Sequence, residues 1–147
     1  MAGTVYPVNA NSIKVKAHSA STQSATYNTI ADMESAAINV DTGVETWYGL
    51  AEGGWQKALA TSKALTVDMA GKRSYGDTGN DLIANMWNTN GTSALVDVEI
   101  TLPDTATITF TAVVQITNIW GGDATAVGAL EFTLICDGKP EYTPAAA

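Results

Sequence analysis

This sequence is poor in the residues on which most enzymes and metal proteins rely. Among 147 residues there is one cysteine, Cys136, and one histidine, His18. A lone cysteine makes no disulfide within the chain and no two-cysteine metal motif. A zinc site would have to draw mainly on carboxylates, which is uncommon. His18 ends an alternating run beside Lys14 and Lys16 and reads as a surface residue rather than a catalytic base. Basic residues are also few, 7 Lys and Arg against 15 Asp and Glu, for a formal net charge of -8. Phosphate binding rests on Lys and Arg displacing counterions, so this balance argues against a general nucleic-acid binder. No apolar run approaches the roughly 20 residues that span a bilayer. The opening MAGTVYPVNANS lacks a basic region followed by an apolar stretch, so no secretory signal is read. The expectation is a soluble protein made and used without export and without a membrane partner.

What is present is an ordinary hydrophobic content of 46% with only 15% charged residues, on a length that fits one domain, 1–147. The stretch Gly71–Trp87, GKRSYGDTGNDLIANMW, turns through Gly71 and Gly76 and becomes one short helix, about 78–88. Thr78 and Asp81 fit a capping box. Leu82, Ile83, Met86 and Trp87 make an apolar stripe, and Asn88-Thr89-Asn90-Gly91 ends the helix. So short a helix must lie on something, and the flanking strands are the expected bed.

The rest of the chain reads as strands. Ile13, Val15 and Ala17 alternate with lysines, and the Ser/Thr/Ala-rich 19–26 segment reads as a loop. An extended region follows over about 27–40, where MESAA would also suit a helical turn. Between Gly43 and Gly71 the aromatics Trp47, Tyr48 and Trp55 stand among glycines, which fits a hairpin tip or a loop that docks on a partner. QKALATSKAL gives no clean helical stripe, so extended structure is expected from Lys63. Ala94, Val96, Val98, Ile100 and Leu102 alternate with polar residues, Pro103-Asp104 turns the chain, and Ile108, Phe110, Ala112, Val114 and Ile116 alternate again. These two runs predict an antiparallel hairpin with one apolar face. A last strand points Leu130, Phe132, Leu134 and Cys136 inward, with Cys136 a buried core thiol. Residues 1–11 and 138–147 read as arms. Alternating strands with one helix predict a mainly β fold, an antiparallel β-sandwich or barrel-like domain with one short flanking α-helix.

Little of this points to chemistry. Asp77, Asn80 and Asp81 miss the calcium-loop spacing, and helix capping explains them better. Lys72-Arg73 lacks the glycine spacing of a phosphate loop and suits a salt bridge or a partner contact. Asp97 and Glu99 share a strand face at a spacing that geometry does not forbid to a glycosidase, but nothing else supports one. No catalytic, cofactor-binding or metal residue is assigned, no cofactor is expected, and no enzyme activity is expected. One pattern remains: the polar faces of the four clearest strands carry Asp68, Asp97, Glu99 and Glu131 among threonines without a Lys or Arg. Such a face is either simply solvated or serves to repel something anionic.

The runs LTVDMAGKRSYGDTGNDLIANM and ITNIWGGDATAVGALEFTLICDGKPEYTP resemble the major tail tube proteins of long-tailed (siphovirus-type) bacteriophages and related prophage tails, over residues 30–143. The resemblance implies a structural virion protein of the tail, made and assembled in the bacterial host cytoplasm. It implies homo-hexameric rings that stack into a tube through which DNA passes without specific binding. The other implied partners are tail-tip, tape-measure and terminator proteins. On this reading Asp68, Asp97, Glu99 and Glu131 are candidate lumen-facing acids. Trp47, Tyr48 and Trp55, within 43–62, are the candidate inter-ring loop. Alternatives are the tube of a contractile tail, tailocin or secretion device and, in a different class, a carbohydrate-binding β-sandwich that stacks sugars on the same three aromatics.

Overall fold

The computed structural model describes residues 3–18 and 26–145; the segment read as a loop over 19–26 lies, but for Thr26, outside them. The elements run β1 (Ser12–Ala17), β2 (Asn28–Thr29), β3 (Met33–Tyr48), β4 (Gln56–Lys72), α1 (Thr78–Ala84), β5 (Leu95–Thr101), β6 (Thr107–Asn118), β7 (Ala129–Cys136) and β8 (Glu141–Thr143). All strands belong to one antiparallel sheet in the order β2-β1-β5-β6-β7-β4-β3, and β8 pairs with the start of β6 beyond the end of β7. The segment 138–147, read as an arm, thus contributes a short strand.

The two edge strands, β2 and β3, are joined by only three residues, Ile30 to Asp32. That link spans at most about 14 Å, whereas a flat sheet of seven strands is roughly 29 Å wide. The sheet must therefore curl until its edges meet, which makes the domain barrel-like. Residues from both sides of the seam line one shallow groove of about 440 Å3, Ile13 of β1 with Met33 and Ala36 of β3 among them.

Curling places one face of β1, β5, β6, β7 and the end of β4 in a single core, with Met33 and Ala36 of β3 packed against it. Val15, Val67, Val96, Val98, Ile100, Ala112, Leu130, Phe132 and Leu134 are buried there, and the β5–β6 hairpin pairs as its alternation requires, Val98 opposite Phe110 and Ile100 opposite Ile108. The expected bed of α1 is not the one it uses. It packs on β1 and β2, across the seam, rather than on the strands that precede and follow it in sequence.

The helix start also differs from the capping box. Asp77, not Thr78, is the N-cap, accepting the Asn80 N–H at 2.9 Å. Asp81 instead accepts the Gly76 N–H at 3.1 Å and pairs with Arg73 at 2.8 Å. At the other end the α-helical turns stop at Ala84 and tighten into a 3-10 turn over Asn85–Asn88. That change of pitch rotates Trp87 off the apolar stripe: Ile83 is buried, Leu82 and Met86 are half-buried, and Trp87 is exposed.

β3 and β4 are longer than their patterns suggest, and MESAA is strand throughout. β4 pairs with β7 only over Thr66–Lys72, so Gln56–Leu65 and its β3 partner leave the sheet as a two-stranded ribbon about 30 Å long. Alternation signals one buried face, and over 56–64 both faces are in solvent, so the signal is absent where the strand is not.

Candidate functional site

With no catalytic constellation expected, the functional residues to place are those of two surfaces and of the motif that organises them. The first surface is the tip of the ribbon. Trp47 pairs across from Lys57 and Tyr48 from Gln56, and Gly49 to Trp55 close the turn. Trp47, Tyr48, Leu50 and Trp55 are all exposed, Trp55 at 79%. Successive residues of a strand point to opposite faces, so Trp47 and Tyr48 do not form one flat platform. The ribbon changes register between Gly43 and Val44, leaving Thr61 unpaired. Lys57 and Glu52 lie 3.7 Å apart across the turn, an exposed pair of little energetic weight.

The second surface is the polar face of the sheet. Asp68, Asp97, Glu99 and Glu131 all point away from the core, since their strand neighbours Val67, Met69, Val96, Val98, Leu130 and Phe132 point into it. They fall into two pairs with different surroundings. Asp97 and Glu99 lie directly opposite Lys16 and Lys14 of β1, so a strand the charge pattern did not include supplies cations beside them. Asp97 Oδ1 also lies 2.9 Å from His18 Nδ1 and accepts the Thr111 hydroxyl at 2.9 Å. Tyr27 stands at the same place, with Lys16 Nζ 4.6 Å from its ring centre. Burial, then Asp97 and Glu99, raise the pKa of its phenol.

Asp68 and Glu131 have neutral partners instead. Asp68 accepts from Thr133 at 2.7 Å and Asn39 at 3.0 Å, and Glu131 from Asn118 at 3.1 Å. Their register makes them diagonal neighbours across β4 and β7, roughly 7–8 Å apart. No lysine or arginine pairs with either among the described residues.

The motif GKRSYGDTGND closes the barrel. Asn80 is wholly buried and bonds in four directions: its side-chain oxygen accepts from Arg73 Nη1 at 2.9 Å and from Ser74 N–H at 3.0 Å. Its amide donates to the carbonyls of Ala31 and Lys72, each at 3.0 Å. Ala31 belongs to the link between the edge strands, and its N–H is held by Asp77 at 3.0 Å. Two glycines let backbones meet at this point. A Cβ on Gly79 would strike the Thr29 carbonyl, and one on Gly71 the backbone of Asp32 and Met33. Arg73 is buried with Asp81 as its counter-ion, and its guanidinium lies 4.3 Å from the Tyr75 ring centre. Lys72 pairs with Glu34 at 3.1 Å, so both basic residues are engaged in salt bridges. No local pattern marks the role of Asn80; an Asn flanked by Gly79 and Asp81 reads as capping.

Cys136 is not the fully buried thiol its alternation implies. It is half-buried at the rim, where β7 turns out of the sheet, and its thiol donates to the Gly138 carbonyl at 3.2 Å. It faces an open groove of about 530 Å3 between the base of the ribbon and the β7–β8 turn, lined by Val40, Leu65 and Pro140 and flanked by Lys63 and Lys139. Burial and the neighbouring Asp137 push its pKa up. Less thiolate is then present at neutral pH, so Cys136 should alkylate more slowly than free cysteine at pH 7. A thiol-exchange time course checks this, with an equal or faster rate the contrary result.

Among the described residues no helix is long and apolar enough to cross a membrane, and no group of His, Cys, Asp and Glu is placed to hold a metal ion.

Solved structures share this fold. A chain of the tail of an empty gene transfer agent particle with C6 symmetry superposes with a TM-score of 0.72 at 18% identity, over 95% of this chain and 100% of that one. The fold is that of phage-like tail proteins. A chain of the native gene transfer agent virion gives a TM-score of 0.68 at 16% identity, over 95% and 100% of the two chains. A chain of a six-fold symmetrised anti-feeding prophage baseplate gives 0.58 at 11% identity, over 97% of each. No protein-family model and no curated protein matches the sequence. The tail fold therefore agrees with the family resemblance carried by the motifs.

Proposed function

We propose that the chain is the structural subunit of a tail tube in a virion, closing into six-membered rings that stack around a lumen through which DNA passes. The observation that carries this reading is the near-complete superposition, end to end, on a chain of a C6-symmetric tail. The edge of the sheet supports it. Among the described residues, no strand pairs with the outer side of the sixteen-residue β3. An exposed edge of that length is an aggregation hazard unless another chain covers it. A ring of copies covers it, and head-to-tail stacking of rings builds a filament rather than a closed particle.

Negative-stain electron microscopy with light scattering, over a range of concentration and salt and with and without co-expressed tail-tip proteins, tests this. Rings or hollow tubes of uniform width are expected. A monomer under every condition overturns it. A tube within a contractile tail, tailocin or secretion device would use the same fold, and a neighbouring sheath gene distinguishes that case. The opposed directions of Trp47 and Tyr48 disfavour the sugar-binding alternative.

In a tube, Asp68 and Glu131 are the strongest candidates to face the lumen, because no lysine stands opposite them in the sheet as Lys14 and Lys16 stand opposite Glu99 and Asp97. Their repulsion of phosphate extends about 8–10 Å at physiological ionic strength, which keeps the wall from binding DNA without blocking the bore. Asp68→Lys with Glu131→Lys should leave tubes intact and reduce DNA delivery. Normal infectivity of the double variant would rule out the lumen assignment of this pair.

A further inference from the structure

At the end of the molecule away from the ribbon, two tryptophans meet in the open. Trp87, on the 3-10 turn after α1, and Trp120, on the β6–β7 loop, pack edge to face with ring centres 5.5 Å apart. Even so paired, they stay 55% and 58% exposed, and Val127, on the same loop as Trp120, is exposed as well. Paired aromatics left in solvent mark a surface that another molecule covers.

Three observations identify that molecule as a second copy of this chain. The first is distance. Trp120 follows Asn118, which lies level through Glu131 with Ala70 of β4, whereas the ribbon tip lies at Gln56. The two aromatic clusters are therefore roughly 45 Å apart along the strands and cannot meet within one chain. The second is kind. The tip presents Trp47, Tyr48, Leu50 and Trp55, so each end of the molecule carries an uncovered apolar cluster. The third is charge. On a chain of net charge -8, the tip 47–57 holds one acid and one base, Glu52 and Lys57. The opposite surface, 85–94 with 119–128, holds only Asp123. Like-charge contact opposes association of two acidic molecules, and these two surfaces largely avoid it.

We propose that the Trp87–Trp120 pair is the seat for the ribbon tip of a second copy, so that each copy grips the next tip to base. The proposal rests on the tube reading and names the surface that receives the ribbon. Contacts of this head-to-tail kind propagate along an axis.

The test places one cysteine at each end, Leu50→Cys and Val127→Cys, in a Cys136→Ser background, and treats assembled protein with a short bis-maleimide. A ladder of dimers and higher multiples on a denaturing gel is expected when both cysteines are present, and no ladder with either alone. In parallel, Trp87→Ala with Trp120→Ala should raise the concentration needed for tube growth about tenfold or more, with the melting temperature unchanged. Tubes that form normally, give no ladder and ignore the tryptophan changes overturn this docking while leaving the tube reading intact. Failure of the unmodified protein to assemble under any condition overturns both.

Discussion

Replacing Asn80 with alanine is expected to lower the unfolding free energy by about 3–5 kcal/mol, measured by denaturant unfolding of the isolated subunit. The side chain has no exposed surface and four hydrogen bonds, so its removal leaves buried groups without partners. The carbonyls of Ala31 and Lys72 and the N–H of Ser74 each lose one, and an unsatisfied buried polar group costs about 1–3 kcal/mol. Total stability of a domain is about 5–15 kcal/mol, so one substitution removes a large share of it. Asn80→Asp separates this account from simple loss of volume. It keeps the acceptor toward Arg73 and Ser74 but cannot donate to Ala31 and Lys72, and it should fall between wild type and alanine. If alanine costs less than about 1 kcal/mol, the clasp does not hold the edges of the barrel together.

Trp47→Ala combined with Trp55→Ala is expected to abolish polymerisation while leaving a folded subunit. Both residues lie on the ribbon, and neither belongs to the core that unites β1, β4, β5, β6 and β7. The melting temperature should shift little, because exposed substitutions away from caps and cores usually change stability by within about 0.5 kcal/mol. Assembly is different. Aromatic anchors at an interface commonly contribute 2 kcal/mol or more each, and every subunit of a tube repeats the loss. Light scattering and electron microscopy of the purified variant read the effect. Unaltered tubes would assign the tip aromatics to packing within the turn and remove them from the inter-ring contact.

The two variants probe opposite properties of one chain. Asn80 acts inside a buried seam through four hydrogen bonds, and its expected effect is on folding. The tip aromatics are exposed on the ribbon, outside the core, and their expected effect is on assembly.

What the sequence determined by itself was the part with one wet and one dry face. Val96, Val98 and Ile100, then Phe110, Ala112 and Val114, then Leu130, Phe132 and Leu134 alternate because each strand lies between core and solvent, and their burial follows that reading. The single helix, the turn at Pro103-Asp104 and the outward direction of Asp68, Asp97, Glu99 and Glu131 were readable for the same local reason. Tertiary structure alone decided the rest. The ribbon has no dry face, so its strands past Val40 and before Lys63 left no periodic mark. Closure of the sheet depends on a link of three residues meeting Asn80, forty-nine positions after Ala31. No local pattern records a hydrogen bond of that separation. Lys14 and Lys16 came to stand beside Glu99 and Asp97 only through the pairing of β1 with β5. Trp87, in phase with the helix stripe in sequence, became a surface residue because the chain tightened into a 3-10 turn before reaching it. Local alternation reports whether a strand has a buried side; which strands become neighbours is fixed by chain closure and packing over the whole domain.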